Sequence, residues 1–172
     1  MKTVILMRHA KSGRAEPGMG DHDRRLGERG RLAASVMAHW LDQQGYRPDH
    51  VLCSSARRTR ETVELMRKAV HSLPLPDISE TLYHASPGAL KLHLTHLPTD
   101  CVCALLIGHE PGLSTFLRCF GGSTAKPEFS RAYDHLPTAA MAVLEVDIGD
   151  WGELGADGTE FVAFVTPSEL MG

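Results

Sequence analysis

The sequence predicts an α/β fold, a single three-layer α/β/α sandwich in which a mostly parallel sheet carries helices on both faces. Three observations predict it. Short continuous apolar segments recur along the chain, as in strands that are covered on both faces. Amphipathic helical patterns alternate with these segments. The 172 residues suit one domain spanning positions 1–172, and no internal repeat, low-complexity tract or linker divides them.

The first half of the chain predicts two strand–helix units. Strand, loop, helix, strand and helix are expected in turn over residues 4–7, 11–23, 33–41, 51–53 and 59–70. Gly45 is a suitable stop for the first helix, because glycine readily adopts the left-handed conformation that ends helices. Ser54 and Ser55 precede the second helix, and their hydroxyl oxygens are expected to cap the unpaired N–H groups of its first turn.

The second half of the chain predicts a helix, a strand, another helix and two late strands. These elements are expected over residues 90–97, 101–107, 113–120, 139–146 and 159–165. Residues 90–97 alternate partly like a strand, but Ser86 as an N-cap and Pro87 at the first helical position favour a helix. Gly121 and Gly122 end the next helix, and a turn rich in Gly and Asp joins the last two strands.

The composition argues against several classes of protein. Lys and Arg total 18 against 21 Asp and Glu, and the net charge of −3 argues against a general binder of nucleic acids or anionic membranes. The apolar runs are far shorter than the ~20 residues that span a bilayer, and the pattern of an export signal is absent. The four cysteines lie in apolar surroundings without a CxxC pair. We therefore expect a reduced, cytoplasmic protein.

Unusual side chains follow three of the predicted strands. They are Arg8 and His9 after the first strand, Arg57, Arg58 and Arg60 after the second, and His109 after the strand of residues 101–107. Because the carboxyl ends of parallel strands meet at the same edge of a sheet, these side chains are expected to converge on one pocket. Two imidazoles beside several guanidinium groups, whose planar forks bind phosphate oxygens, indicate a phosphate site.

A histidine in such a site can act as a nucleophile. Its neutral imidazole attacks phosphorus in line, while the arginines neutralise the charge that spreads over the phosphate oxygens. Water then hydrolyses the covalent phosphohistidine intermediate. Because this chemistry needs neither a metal ion nor another cofactor, we expect none.

Three short motifs resemble those of one protein family. Residues 8–10, with the sequence RHA, resemble the RHG/RHA signature of the histidine phosphatase superfamily, which includes the phosphoglycerate mutases. Residues 54–62 resemble its SPxxRAxQT element, and residues 108–111 resemble its GHxP element. The order and spacing of the motifs cover nearly the whole chain. The resemblance implies a phosphoglycerate mutase-like fold and a histidine phosphatase domain with His9 as the nucleophile.

Within this superfamily, the sequence is most similar to the small SixA-type phosphohistidine phosphatases. Residues 23–30 resemble their D-x-RPLTxxG segment, and the RHAKS opening and residues 82–85 are also typical of this branch. The resemblance assigns phosphate binding and charge neutralisation, beside His9, to Arg8, Arg58 and His109. Further substrate contacts are expected from Arg24, His22, Ser54 and Arg57.

The sequence departs from the family motifs at several positions. Ser55 replaces a motif proline, Glu61 the glutamine and Arg25 a second proline, and none of these changes removes a group that the mechanism needs. The mutase and broad phosphatase branches also use a general acid. In this sequence that role could fall to Glu80, to His84 or to no residue. An alkoxide leaving group benefits from such a proton donor, whereas an imidazole with a pKa near ~6.5 can leave with little help.

The leading prediction is therefore a metal-independent phosphohydrolase that acts on phosphohistidine in a signalling or phosphotransfer protein. Two alternatives use the same pocket: a small-molecule phosphomonoesterase or mutase of the same superfamily, and a non-catalytic phosphate-binding module. A third alternative is a metalloprotein whose ligands are Asp21, His22, His93 and His96. The sequence leaves the partner protein and the oligomeric state open.

Overall fold

A six-stranded mixed sheet forms the middle layer of the computed structural model, which describes residues 1–122 and 126–172. Its strands, in chain order, are β1 (Lys2–Arg8), β2 (His50–Ser54), β3 (Asp77–Ser79), β4 (Cys103–Gly108), β5 (Met141–Val146) and β6 (Thr159–Val165). Their spatial order is β3-β2-β4-β1-β5-β6. Strands β3, β2, β4 and β1 are mutually parallel, whereas β5 is antiparallel to β1, and β6 to β5. The prediction of a mostly parallel sheet is confirmed.

Helices cover both faces of this sheet. They are α1 (Glu28–Gln43), α2 (Arg57–Ala69), α3 (Pro87–Thr95), α4 (Gly112–Phe120), α5 (Ser130–Asp134) and α6 (Pro167–Met171). In β1, Val4 and Leu6 belong to one apolar core with α3 and α4, while Ile5 and Met7 belong to another with α1 and α2. Because successive side chains of a strand point to opposite faces, these cores lie on the two sides of the sheet. Of the helices in residues 1–122 and 126–172, none is long and apolar enough to cross a membrane.

The shortest elements and some boundaries differ from the sequence predictions. Strand β3 has three residues and exposes Ile78, so it lacks the apolar run that marks a strand. Helices α5 and α6 have five residues each, which is too short for a helical period to be recognised. Helix α1 begins at Glu28, ahead of the predicted apolar positions. The apolar pattern does not mark this first turn because its residues are largely polar.

The predicted serine cap of α2 is wrong. Ala56 occupies the N-cap position, and its methyl side chain offers no acceptor to the first turn. The Ser54 hydroxyl lies 3.3 Å from the Ala56 nitrogen and 2.7 Å from Nε2 of His109. The Ser55 hydroxyl lies 2.9 Å from Nε2 of His22. The two serines therefore link the end of β2 to histidine side chains rather than capping the helix.

The register of the parallel strands brings their carboxyl ends to one edge of the sheet. Arg8 of β1 pairs with Gly108 of β4, and Cys53 of β2 pairs with Ile107 of β4. The residues that follow β1, β2 and β4 therefore emerge side by side, as the sequence predicts.

Gly30 lies where α1 packs against the segment that follows β1. A Cβ atom at this position would lie 2.1 Å from the carbonyl oxygen of Lys11 and 2.8 Å from its nitrogen. Because this neighbour is backbone, Gly30→Ala is expected to lower the free energy of unfolding by about 1–3 kcal/mol in urea denaturation. Gly20→Ala is the control, since no described atom lies within 4 Å of its added Cβ. Equal stability of the two variants would contradict this close packing.

Candidate active site

A cavity of about 350 Å³ opens at the carboxyl ends of β1, β2 and β4. It brings together five of the eight site residues predicted from the sequence: His9, Arg8, Arg58, His109 and Arg24. The other lining residues are Lys11, Ser12, Asp21, His84, Glu110 and Thr138. Four of these eleven residues are Arg or Lys and two are acidic, and this excess of positive charge suits an anion.

His9 follows β1 directly and is held in one tautomer. Its Nδ1 atom lies 2.7 Å from the carbonyl oxygen of Ala10, which can only accept a hydrogen bond, so Nδ1 carries the proton. The other ring nitrogen, Nε2, accepts a hydrogen bond from Nε of Arg58 at 3.3 Å. Nε2 therefore carries no proton and keeps its lone pair, as a nucleophile for phosphorus requires.

The surroundings of His9 favour its neutral form. Its pKa is lowered to about 4, chiefly because burial disfavours the charged imidazolium. The hydrogen bond to the Ala10 carbonyl raises the pKa, while the positive charges of Arg58 and Arg8 lower it again. His9 is therefore a neutral imidazole at pH 7, which is the form that can act as a nucleophile.

This lowered pKa predicts how His9 responds to pH. In the ligand-free protein, His9 is expected to remain neutral at pH 5 and to be half protonated near pH 4. An exposed histidine is half protonated at about pH 6.5, well above the midpoint of His9, because water solvates its charged form. NMR titration of isotope-labelled histidine rings measures the difference, with a short unstructured histidine peptide as the reference. A midpoint for His9 at or above pH 6 would contradict the described burial.

Arg58 is the buried centre of the cavity. Its Nε donates to Nε2 of His9 at 3.3 Å, and its Nη2 lies 3.3 Å from Nδ1 of His109. Its Nη1 donates to the backbone oxygen of Asp21 at 2.8 Å, and Nη2 lies 3.0 Å from the Asp21 carboxylate. One guanidinium group is thus fixed against both histidines and one carboxylate.

His109 follows β4 and completes the pair of imidazoles. Its Nδ1 accepts from Arg58, so the proton is on Nε2, which lies 2.7 Å from the hydroxyl of buried Ser54. The ring centroids of His9 and His109 are 5.3 Å apart. Burial first, and then the neighbouring His9 and Arg58, lower the pKa of His109 to about 2. Both histidines are therefore neutral in the ligand-free cavity.

Two arginines of the cavity retain unpaired donors. The Nε atoms of Arg8 and Arg24 are buried and have no hydrogen-bond partner within residues 1–122 and 126–172. The Arg8 side chain is anchored instead through Nη1, which donates to the carbonyl oxygen of Leu136 at 3.1 Å. A buried N–H group without an acceptor is costly, so both arginines are suited to an incoming anion that supplies one.

Asp21 is a site residue that the sequence reasoning placed only in a candidate metal cluster. Its carboxylate accepts hydrogen bonds from Arg58 at 3.0 Å, from Nε2 of His84 at 3.1 Å and from the Tyr83 hydroxyl. The Tyr83 hydrogen bond, followed by those of His84 and Arg58, holds the pKa of Asp21 well below its usual range. The carboxylate is therefore ionised and orients Arg58. An acidic residue in a polar loop carries no sequence pattern that would reveal this role.

Arg57 and Arg58 leave the first turn of α2 in different directions, because successive helical residues point about 100° apart. Arg58 enters the cavity, whereas Nε of Arg57 lies 3.1 Å from Oε1 of Glu61 and lines a separate cleft. The Thr62 hydroxyl accepts from the backbone nitrogen of Ala10 at 3.0 Å, which ties α2 to the segment after β1. The structure therefore does not bring Arg57 into the cavity with the five predicted residues that line it.

His22 and Ser54, also predicted to contact substrate, lie outside the cavity lining. Nε2 of His22 lies 2.9 Å from the Ser55 hydroxyl, and its ring is edge-on to Tyr83 at a centroid distance of 4.9 Å. Ser54 is fully buried, and its hydroxyl contacts the ring of His109. Ser54 is therefore placed to orient His109 rather than to touch a phosphate.

The two candidates for a general acid are placed differently. His84 lines the cavity, with Nε2 3.1 Å from the Asp21 carboxylate, whereas Glu80 lies outside the lining in a short 3-10 helix. Glu110, the variable residue of the GHxP-like motif, also lines the cavity and was not singled out from the sequence. Its carboxylate accepts from the backbone nitrogen and hydroxyl of Ser114 at 2.9 and 2.7 Å.

The residues of the metalloprotein alternative are separated in the structure. His93 and His96 line a small cavity at α3, whereas Asp21 lines the cavity that holds His9, and His22 contacts Ser55. Within residues 1–122 and 126–172, the three potential metal-binding side chains whose ligand atoms lie within 4.8 Å of one another are Asp49, His50 and Cys101. That group shares no residue with the predicted ligand set.

A neutral histidine among arginines, at the carboxyl edge of this sheet, is the arrangement expected of a histidine phosphatase. The family model of the histidine phosphatase superfamily (branch 1) matches residues 4–90. The chain is 36% identical to an uncharacterized protein of Mycobacterium leprae (strain TN), over 94% of this chain and 99% of that protein. The chain belongs to the histidine phosphatase superfamily, and the predictions of the family and of a phosphatase are confirmed.

Two solved structures are similar over nearly their whole length. One is a proposed phosphohistidine phosphatase SixA from Nakamurella multipartitia, with 27% identity, a TM-score of 0.82 and coverage of 96% of each chain. The other is a proposed phosphohistidine phosphatase SixA from Agrobacterium tumefaciens, with 28% identity, a TM-score of 0.77 and coverage of 96% of this chain and 99% of that one. These similarities confirm the predicted fold and the SixA-type branch.

Proposed function

We propose that this protein is a metal-independent phosphohydrolase that removes the phosphoryl group from phosphohistidine in proteins, with His9 as the nucleophile. The observation that carries the proposal is the state of His9, a neutral imidazole whose unprotonated Nε2 lies 3.3 Å from Nε of Arg58. The unpaired Nε donors of Arg8 and Arg24 support the binding of phosphate oxygens in the same cavity.

In the first step, Nε2 of His9 attacks phosphorus in line, and the bond from phosphorus to the substrate's imidazole nitrogen breaks. The electron pair of that bond goes to the leaving ring, which departs as neutral imidazole when its other nitrogen is protonated. Arg8, Arg24 and Arg58 neutralise the charge on the equatorial oxygens. The Ala10 carbonyl, which accepts a hydrogen bond from Nδ1–H, stabilises the positive charge of the phosphorylated His9 ring.

In the second step, water attacks phosphorus and the bond from phosphorus to Nε2 of His9 breaks. Both hydrogens of the water remain on the inorganic phosphate or pass to solvent, and His9 returns to its neutral form. The sum of the two steps is hydrolysis of one P–N bond. No step requires a metal ion, because the arginines supply the positive charge.

The choice of phosphohistidine as substrate follows from the leaving group. Imidazole leaves with a pKa near ~6.5, whereas an alkoxide benefits from a proton donor. Of the two acidic side chains in the lining, Asp21 is ionised, and Glu110 accepts hydrogen bonds from Ser114 through both of its oxygens. Nε2 of His84, the remaining candidate, is directed to the Asp21 carboxylate at 3.1 Å. The similarity to two proteins named as SixA phosphohistidine phosphatases supports the same substrate.

We further propose that residues 1–172 form one histidine phosphatase domain that acts in the cytoplasm on a signalling or phosphotransfer protein. The free thiols of Cys53, Cys101, Cys103 and Cys119 are consistent with a reducing compartment. Fractionation of cells that produce the native protein tests the location.

The activity is tested by comparing a phosphohistidine-bearing protein, p-nitrophenyl phosphate and 3-phosphoglycerate, each with and without EDTA. Phosphohistidine is expected to react fastest, without sensitivity to EDTA. The activity is expected to be lost in His9→Ala and kept in His71→Ala, which is the matched histidine control. Faster turnover of 3-phosphoglycerate would indicate a small-molecule phosphatase or mutase. Phosphate binding without any turnover would indicate a non-catalytic module, and loss of activity in EDTA would indicate a metalloenzyme.

A further inference from the structure

A second cleft lies beside the catalytic cavity, between residues 23–26 and the helices α1 and α2. Its volume is about 590 Å³, against about 350 Å³ for the catalytic cavity. Residues that are adjacent in the chain line the two cavities. Arg24 and Arg58 line the catalytic cavity, and Arg25 and Arg57 line the cleft. A molecule bound in the catalytic cavity therefore has this cleft as its immediate neighbour.

The cleft carries an excess of positive charge. Its lining includes five cationic and three acidic side chains, which gives an excess of two. Two of the cations are already paired. Nε of Arg57 lies 3.1 Å from Oε1 of Glu61, and Nζ of Lys68 lies 2.9 Å from Oε1 of Glu64. The remaining acid is Asp23, and the remaining cations are Arg25, Arg31 and Arg60.

These three arginines are exposed and come from different elements. Arg25 lies on the segment before α1, Arg31 on α1 and Arg60 on α2, so that they approach the cleft from more than one side. Their guanidinium groups form no hydrogen bond or ion pair with any side chain or backbone group of the described residues. Leu26 and Leu65 add apolar surface to the lining. Planar arginine forks of this kind bind carboxylates through paired hydrogen bonds.

We propose that this cleft binds Asp and Glu side chains that surround the phosphohistidine of the protein substrate, an inference that rests on the proposed function. A protein whose phosphoryl group reaches His9 must lay its surrounding surface over the rim of the cavity, where the cleft begins. Complementary charge across such a contact speeds association and selects the partner.

Nucleic acid is a poorer fit to the same cleft. Asp23, Glu61 and Glu64 interrupt its cationic surface, and the chain as a whole carries a net charge of −3. A polyanion requires continuous positive charge along its backbone. Separate carboxylates, by contrast, can each meet one arginine.

The test uses two synthetic phosphohistidine peptides of equal length, one flanked by Asp and Glu and the other by Ser and Gln. At low salt, kcat/KM is expected to be about tenfold or more higher for the acidic peptide, and high salt should remove the difference. The triple variant Arg25→Gln/Arg31→Gln/Arg60→Gln is expected to lose this preference. Its kcat/KM for p-nitrophenyl phosphate should be unchanged, which shows that the fold and the catalytic cavity are intact.

Arg29→Glu is the matched control for charge on α1, because Arg29 lines a different small cavity together with Pro167 and Met171. Arg31→Glu is expected to reduce the preference for the acidic peptide, whereas Arg29→Glu is expected to keep it. Equal hydrolysis of both peptides by the wild-type protein, or an undiminished preference in the triple variant, would overturn this inference and leave the proposed function standing. Hydrolysis of neither peptide would refute the proposed function itself. Stronger competition by an RNA oligonucleotide than by the unphosphorylated acidic peptide would assign the cleft to nucleic acid.

Discussion

His9→Ala is expected to lower kcat/KM for both a phosphohistidine peptide and p-nitrophenyl phosphate by about 10³-fold or more. The change removes the atom that forms the covalent bond in the proposed mechanism. The imidazole of His109 stays in its own place, with its protonated Nε2 directed to the hydroxyl of Ser54. Steady-state kinetics at pH 7 measure the effect.

The variant with His9 changed should still fold and still bind phosphate, because Arg8, Arg24 and Arg58 remain. Isothermal titration with inorganic phosphate tests this separation of binding from chemistry. His71→Ala, at an exposed position, should retain full activity. Activity of His9→Ala within tenfold of the wild type would show that another group attacks phosphorus.

Arg58→Ala is expected to produce the second largest loss, about 10²- to 10³-fold in kcat/KM. This guanidinium group contacts His9, His109 and Asp21 at once, so its loss removes transition-state charge and leaves Arg24, at 3.5 Å, as the remaining arginine paired with the Asp21 carboxylate. Arg58→Lys should recover little of the activity, because an ammonium group offers one centre of charge in place of a planar fork.

Arg47→Ala is the matched control for Arg58. Arg47 lies before β2, at the edge of the sheet opposite to the cavity, and pairs with Asp42 at 3.2 Å. Its replacement should leave kcat/KM unchanged. Full activity of Arg58→Lys would show that this position requires only a positive charge and would contradict the geometric role of the guanidinium.

The sequence predicts the residues at strand ends well because topology alone brings them together. Arg8, His9 and His109 each follow a buried strand, and the parallel pairing of β1 with β4 places them at one edge. The choice between Arg57 and Arg58 needed the motif register, since either arginine could belong to the first turn of α2. Because successive helical residues point in different directions, Arg58 lines the cavity and Arg57 lines the cleft.

Residues outside the strand ends were harder to predict. Asp21 lies in a loop, and its part in the site depends on contacts with Tyr83 and His84, more than 60 positions later in the chain. Such contacts leave no periodic pattern in the sequence. The hydroxyl of Ser54 likewise suits both a helix cap and a histidine partner, and the position of His109 decides between them.

The short elements were missed for a related reason. Strand β3 has three residues and is stabilised by its pairing with β2, from Leu52–Asp77 to Ser54–Ser79. Its own residues lack an apolar run that would predict a strand. Local patterns therefore predict the long buried elements, whereas tertiary pairing defines the short ones.

The central claim, that His9 takes the phosphoryl group from phosphohistidine, is tested most directly by trapping the intermediate. The protein is mixed with a ³²P-labelled phosphohistidine peptide, denatured within milliseconds at alkaline pH to preserve the P–N bond, and mapped by mass spectrometry. The label is expected on the peptide that contains His9, and it should be absent when His9→Ala is used. Turnover of the substrate with no label on His9, or with the label on His109, would contradict the mechanism.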